Sequence, residues 1–174
     1  MDKHLTDFYN IMYRRCSVRS YKATPVPPDV LDRLIETLRR APSAANRQPW
    51  RFYVIKNDLR PKFNEVLYKP CFHNVPVLIA AEAVPETAWV RNEDKHNYAW
   101  VDVSIAMTDM VNAATAEGLG TCWIASFDVN LAKKLLELPD SAQLVTLMAV
   151  GYPEKELVAH DKVRKSLQEI ITIL

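Results

Sequence analysis

The chain has 174 residues, 49% apolar and 25% charged, which is enough for one domain with a real hydrophobic core in soluble, globular proportions. Its net charge of +1 offers nothing to a polyanion, and no apolar run approaches the roughly 20 residues of a membrane span, so neither nucleic acid nor membrane is expected as a partner. Three cysteines (Cys16, Cys71, Cys122) without a C-x-x-C pattern argue against a disulfide framework or a zinc site and for a reducing cytoplasm, and with acids but no apolar stretch at the start no secretory signal is expected.

The periodicity predicts a short helix over 5–14, with Leu5, Phe8, Ile11 and Met12 on one side. An extended, Pro-interrupted stretch from Arg15 to Pro28 follows. A second helix opens at Pro28 and Asp29, carries Val30, Leu31, Leu34, Ile35 and Leu38 as its apolar stripe, and closes before Pro42. A strand over 52–55, a helix around 60–67 and a fully apolar strand over 77–81 come next. Residues 84–97 read as one long irregular segment, the place for a lid or binding loop.

A long helix spans Tyr98 to about Glu117 and ends at Gly118. Ala99, Val103, Ala106, Met107, Met110, Val111, Ala113 and Ala114 make it apolar over much of its circumference. Part of it is therefore expected against a second subunit, the alternative being burial under the sheet. A strand over 121–124, a helix capped by Asp128 and a core strand over 144–150 complete the body. An apolar terminus, Leu167 to Leu174, must dock somewhere. The pattern predicts an α+β fold of a single domain, a mixed central sheet flanked by helices.

Between the second helix and the strand at 52 lies Ala41-Pro-Ser-Ala-Ala-Asn-Arg-Gln-Pro-Trp50. Ser43, Asn46 and Gln48 form a polar row between two prolines, suited to holding a ligand. By itself the row reads equally as a Pro-bounded turn with Trp50 in the core. Glycine is scarce, only Gly118, Gly120 and Gly151, so neither a G-x-G-x-x-G dinucleotide turn nor a Walker loop exists. The histidines (His4, His73, His96, His160) have no metal-binding spacing and no G-x-S-x-G elbow is present; no metal is expected.

Taken with Arg15-Cys-Ser-Val-Arg19, Gly118-Leu-Gly-Thr-Cys-Trp123, Gly151-Tyr-Pro153 and the late pair Lys162 and Arg164, the loop makes a set of ordered motifs. They resemble the nitroreductase family of FMN-dependent oxidoreductases over roughly residues 11–170. The resemblance implies a sandwich-like homodimer with shared active sites, non-covalent FMN, and no catalytic side chain, since hydride transfer is the flavin's own chemistry. Arg15, Cys16, Ser17 and Arg19 match flavin-binding positions. Arg15, Ser17 and Arg19 alternate along an extended segment and so share one side, as a phosphate needs; alone they could be a solvated basic turn. Cys16 stands where relatives often carry Arg or His, and contributes through its backbone if at all.

Lys162 and Arg164 resemble the family's late phosphate-binding pair. Pro42, Ser43, Ala44, Asn46 and Gln48 match the segment that reaches the flavin from the neighbouring subunit, and Ala125 and Ser126 fall where backbone N–H groups meet the ring. The arm from about 154 to 174 is expected on the partner subunit. The implied activity is ping-pong transfer of hydride from transiently bound NAD(P)H to a nitroaromatic, quinone or activated alkene, with residues 84–97 shaping the choice of acceptor. The alternatives are a flavin carrier or sensor without turnover, and other flavin chemistry such as reductive dehalogenation, for which Arg91 and Glu93 could meet a zwitterion.

Overall fold

The computed structural model describes residues 3–157 and 162–174; His160, the last of the histidines, lies outside them, as does part of the arm from 154. Helix α1 (Lys3–Arg14) leads into the extended segment 15–21, then α2 (Pro28–Arg40), with Pro28 and Asp29 in its first turn. Strand β1 (Trp50–Ile55) is followed by α3 (Leu59–Lys62), a single turn where a helix to 67 was predicted. Then come β2 (Val77–Ala83), α4 (Ala99–Ala116), β3 (Gly120–Ile124), α5 (Val129–Leu135), β4 (Gln143–Gly151) and α6 (Leu167–Ile170). No helix of the described residues is long and apolar enough to cross a membrane.

The strands lie in the order β1-β2-β4-β3 and pair antiparallel throughout. Among the described residues the parallel component of the sheet is a single bridge, Ser17 to Thr121, where the segment after α1 lies along β3. Helices cover both faces, so the α+β sandwich expected from the sequence is what the chain forms. Alternation along β2 divides the core. Val77, Ile79, Ala81 and Ala83 pack with α2 and α4, while Leu78 and Ala80 face the layer of Phe63, Phe72 and Phe127.

The pairing of β2 with β4 slips between Ala81 and Glu82, whose partners are Thr146 and Leu144. Val145 is the surplus residue of a β-bulge, and beyond it β4 changes parity: Leu144 and Leu147 share one layer, Val145 and Met148 the other.

Burial under the sheet, rather than a subunit contact, accounts for the apolar set expected on α4. Ala99, Val103, Ala106, Met107, Met110, Val111 and Ala114 are all buried in the chain's own core, and Ala113 packs against it. The exposed apolar residues of α4 are others, Trp100, Val101 and Ile105. Asp128 caps α5 as predicted, its side chain accepting from Leu131 N–H at 2.9 Å.

Candidate functional site

Gly120 and Val18 decide where the segment after α1 can lie. A Cβ on Gly120 would stand 2.6 Å from Val18 Cγ2, so only glycine admits the segment this close to β3. Val18 N–H donates to Thr121 O (2.9 Å), and Tyr21 Oη donates to Val18 O (2.8 Å) in a buried contact. Parity then separates Arg15 and Ser17 from Cys16 and Val18 as the sequence predicts, but Arg19, expected on the same side, does not line the cleft. Cys16 and Val18 pack into the layer of Phe63 and Phe127. Arg15 and Ser17 face the other side, where they line a cleft of about 240 Å3 with Thr108 and Val111 of α4, Thr121 and Trp123 of β3, and Met148 of β4. Cys16 thus turns its side chain away from the cleft.

Of the late basic pair, Lys162 lies beside Arg15 while Arg164 is exposed and donates to Val163 O (2.8 Å); neither lines the cleft. Lys162 Nζ donates to Tyr13 O (2.9 Å) and Met12 O (3.5 Å), and also to Arg15 O. The ammonium thereby caps the carbonyl end of α1, where a cation is favoured by the helix dipole. Its donors are engaged on backbone, a role the sequence did not suggest. Desolvation first, then the nearby Arg15 and Arg164 guanidinium groups, hold its pKa below the usual lysine range. Among the described residues no ion pair involves Arg15, Arg19, Lys162 or Arg164. Arg19 is exposed and turns back to Ser17 O (3.3 Å).

The loop from Ala41 to Trp50 sits elsewhere on the same chain and does not line the cleft. Its backbone is unusual. Ala45 (φ 50°), Asn46 (φ 53°) and Gln48 (φ 51°) are all left-handed, at a cost of order 1 kcal/mol or more each. Ser43 Oγ accepts from Gln48 N–H (2.9 Å), Asn46 N–H donates to Ser43 O (2.9 Å), and Gln48 Nε2 to Asn46 O (3.2 Å). Pro42, Asn46 and Gln48 are exposed, Ser43 and Ala44 half-buried. Ala44 N–H donates to Asp102 Oδ1 (3.0 Å), a buried carboxylate in the first turn of α4. Ala125 and Ser126 are exposed just beyond β3 and also lie outside the cleft lining.

Asp102, Thr108, Thr121, Trp123 and Met148 were not picked out by the sequence reading. Asp102 carried a legible signal: an acid standing between Ala99 and Ala106 on the buried stripe of α4. The rest depend on sheet parity across three segments, which no local pattern displays.

Residues 84–97 are ordered rather than loose. A 3-10 turn (Pro85–Thr87) leads into a small hairpin bridged at Val90 and Asn97. Trp89 and His96 each meet the Tyr98 ring edge-on, at 5.1 and 5.2 Å between centroids. Arg91 is paired with Asp94 and donates to Tyr98 Oη (3.0 Å), so it is not poised for a ligand.

A model of the nitroreductase family matches this chain over residues 11–70 and 60–152. The chain belongs to the nitroreductase family. Among solved members, a family protein of Clostridium difficile 630 is 26% identical, with a TM-score of 0.83 over 94% of this chain and 95% of that one. One of Clostridium novyi NT is 32% identical, with a TM-score of 0.76 over 84% and 85%. Iodotyrosine deiodinase 1 of Rattus norvegicus is 28% identical over 197 aligned positions, covering 95% of this chain and 68% of the rat protein. The alignment is longer than the 174-residue chain, so the rat protein carries stretches that this chain lacks.

Proposed function

We propose that the chain is an FMN-dependent oxidoreductase acting as a homodimer, with NAD(P)H as transient reductant and a small electron-poor acceptor such as a nitroaromatic, quinone or activated alkene. The observation that carries this reading is that Arg15 and Ser17 line a hydroxyl-bearing cleft with the Lys162 ammonium bound to Arg15 O beside it, and that no ion pair among the described residues engages Arg15, Lys162 or Arg164. Cations outside those ion pairs suit a dianion, and the residues present fit a flavin phosphate. Arg15 and Arg164 would hold it by charge-assisted hydrogen bonds, while Lys162 adds charge and fixes the end of α1. Ser17 and Thr121 suit the polyol chain, and Val111, Trp123 and Met148 exclude water. The chemistry FMN supplies when bound is acceptance of hydride from NAD(P)H and its delivery to the acceptor, which asks no acid, base or nucleophile of the protein. With no dinucleotide turn in the chain, NAD(P)H visits and leaves.

The dimer rests on an incompleteness. A cleft of about 240 Å3 is smaller than the ~300–1,000 Å3 typical of ligand pockets. It continues, through Thr108, into a wider groove lined by Trp100, Val101 and Ile105. Phe8, Met12 and Tyr13 of α1 are exposed, as are Ile170, Ile171, Ile173 and Leu174 at the terminus. A second copy seated on α4 buries these surfaces, brings its 42–48 loop to the flavin and receives the arm.

The first experiment is the anaerobic visible spectrum of FMN-supplemented protein before and after NADPH. Bleaching of bound flavin is expected; retained colour favours a carrier, and absence of binding ends the reading. Mixing Arg15→Ala with Asn46→Ala protein should regenerate some complete sites in the heterodimer, and no recovery would count against the shared pocket. Reductive dehalogenation is the second reading, favoured by the deiodinase relatives. Against it stand the stretches missing here and the pairing of Arg91 with Asp94. Halide release from a halogenated tyrosine by the anaerobically reduced protein would reverse the order.

A further inference from the structure

Asp102 is 1% exposed, and its two oxygens have different fates. Oδ1 accepts the Ala44 N–H at 3.0 Å, while Oδ2 is enclosed with no hydrogen-bond partner. A buried carboxylate with half its acceptor capacity unmatched is a liability to a fold. It is explained by what the other oxygen holds. The loop above it has left-handed backbone at Ala45, Asn46 and Gln48, none of them glycine. Its other hydrogen bonds (Gln48 to Ser43, Asn46 to Ser43, Arg47 to Ala44, Gln48 to Asn46) run within the loop and move with it. At its far end, Val84 N–H donates to Pro49 O (2.9 Å). At its near end the tie to the scaffold is Ala44 to Asp102, in the first turn of the helix that also lines the cleft.

We infer that Asp102 is the positioning residue of the site: through Ala44 it holds the 42–48 loop in its left-handed form, and so presents Ser43, Asn46 and Gln48 to the cofactor. The second half of this statement rests on the function proposed above; the first does not. Asp102 touches neither substrate nor cofactor. It acts by keeping a costly backbone from relaxing, and its place at the amino end of α4 suits a negative charge.

Two measurements on cofactor-free protein read the loop itself. In the parent, the Ala44 amide should be protected from hydrogen exchange even though Ala45 to Gln48 are exposed, and trypsin should cleave slowly after Arg47. In Asp102→Ala, cleavage after Arg47 should accelerate at least tenfold. Asp102→Asn keeps a carbonyl oxygen toward Ala44 and should restore most of the protection, which a general loss of core packing would not. An unprotected Ala44 amide in the parent overturns the anchor without any variant having to fold. Equal cleavage in Asp102→Ala and parent, or failure of Asp102→Asn to rescue, overturns it too. Flavin titration then reads the consequence: FMN affinity should fall at least tenfold in Asp102→Ala and recover in Asp102→Asn. A freed loop with unchanged affinity would overturn the link to the cofactor while leaving FMN binding itself in place.

Discussion

Replacing Gly120 by alanine tests the contact that places Arg15 and Ser17. The added Cβ would lie 2.6 Å from Val18 Cγ2, 2.9 Å from Val18 Cβ and 3.0 Å from Cγ1. Carbon atoms rest comfortably at about 3.5–4.0 Å, so the gap must open by roughly an ångström. Rotating Val18 cannot supply it, because its Cβ is itself too close. The segment has to back away from β3 and stretch the Val18 to Thr121 hydrogen bond. Overpacking costs about 1–3 kcal/mol and a weakened backbone hydrogen bond up to about 1 more. At this chain length that lowers Tm by roughly 2–16 °C. FMN affinity should fall about tenfold or more, since Arg15 and Ser17 ride on the displaced segment. The assay is thermal denaturation with flavin titration on Gly120→Ala, Val18→Ala and the double variant. Removing the Val18 methyls relieves the two γ-carbon clashes, so the double variant should be more stable than the sum of the single losses by about 1 kcal/mol. Strict additivity, or a Gly120→Ala protein that melts with the parent, would refute the reasoning.

Arg15→Ala or Arg164→Ala should each weaken FMN retention by about 1.5–3 kcal/mol through lost charge-assisted contacts, measured by fluorescence titration. Arg60→Ala strips the donors that a buried guanidinium gives to Val75 O, Phe72 O and Asn64. Two carbonyls are left enclosed, so a loss of about 3 kcal/mol or more is expected in denaturant melts, with no rescue by Arg60→Lys, which lacks the planar fork. Arg91, and secondly the His96 amide, hold the Asp94 carboxyl down to about 2, below its ordinary 3.8. Its contribution to the 89–98 hairpin is therefore complete above about pH 4 and lost as pH falls through about 2. Trp89 fluorescence should report that loosening, and Asp94→Asn should reproduce the acid spectrum at neutral pH.

Much of the fold was legible because its signals are local. Pro28 with Asp29, Asp128 and Gly118 (φ 76°) mark element ends through backbone chemistry that needs no partner. The alternation that brings Arg15 and Ser17 to one cleft was equally local, although Arg19, two residues on, turns back to Ser17 O instead of joining them, and the polar row from Ser43 to Gln48 was local too. What could not be read depends on elements meeting. The helix around 60–67 stops after one turn, and Arg60 ties it to the carbonyls of Phe72 and Val75 instead. Lys162 looked like a free cation because the carbonyls it caps lie far away in sequence. The apolar girth of α4 suggested a partner, yet a helix touching β1, β2, β3, β4, α1 and α2 can bury that girth in its own domain.

One surplus residue governs which side chain meets the cleft. Because Val145 is unpaired, the positions before and after it on β4 obey opposite even–odd rules. Substitution tolerance along that strand therefore cannot be read with a single phase: Leu144 and Leu147 answer to one layer, Val145 and Met148 to the other. Deleting Val145 would merge the two phases: Leu144 and Leu147 would keep one layer and Met148 the other on a regular strand, at the cost of the bulge and of the Val145 side chain in the α4 layer. The phase of β4 is thus set by a count of residues: the bulge can be removed with Met148 still in the cleft wall, whereas one residue added between Thr146 and Met148 would turn Met148 to the opposite layer.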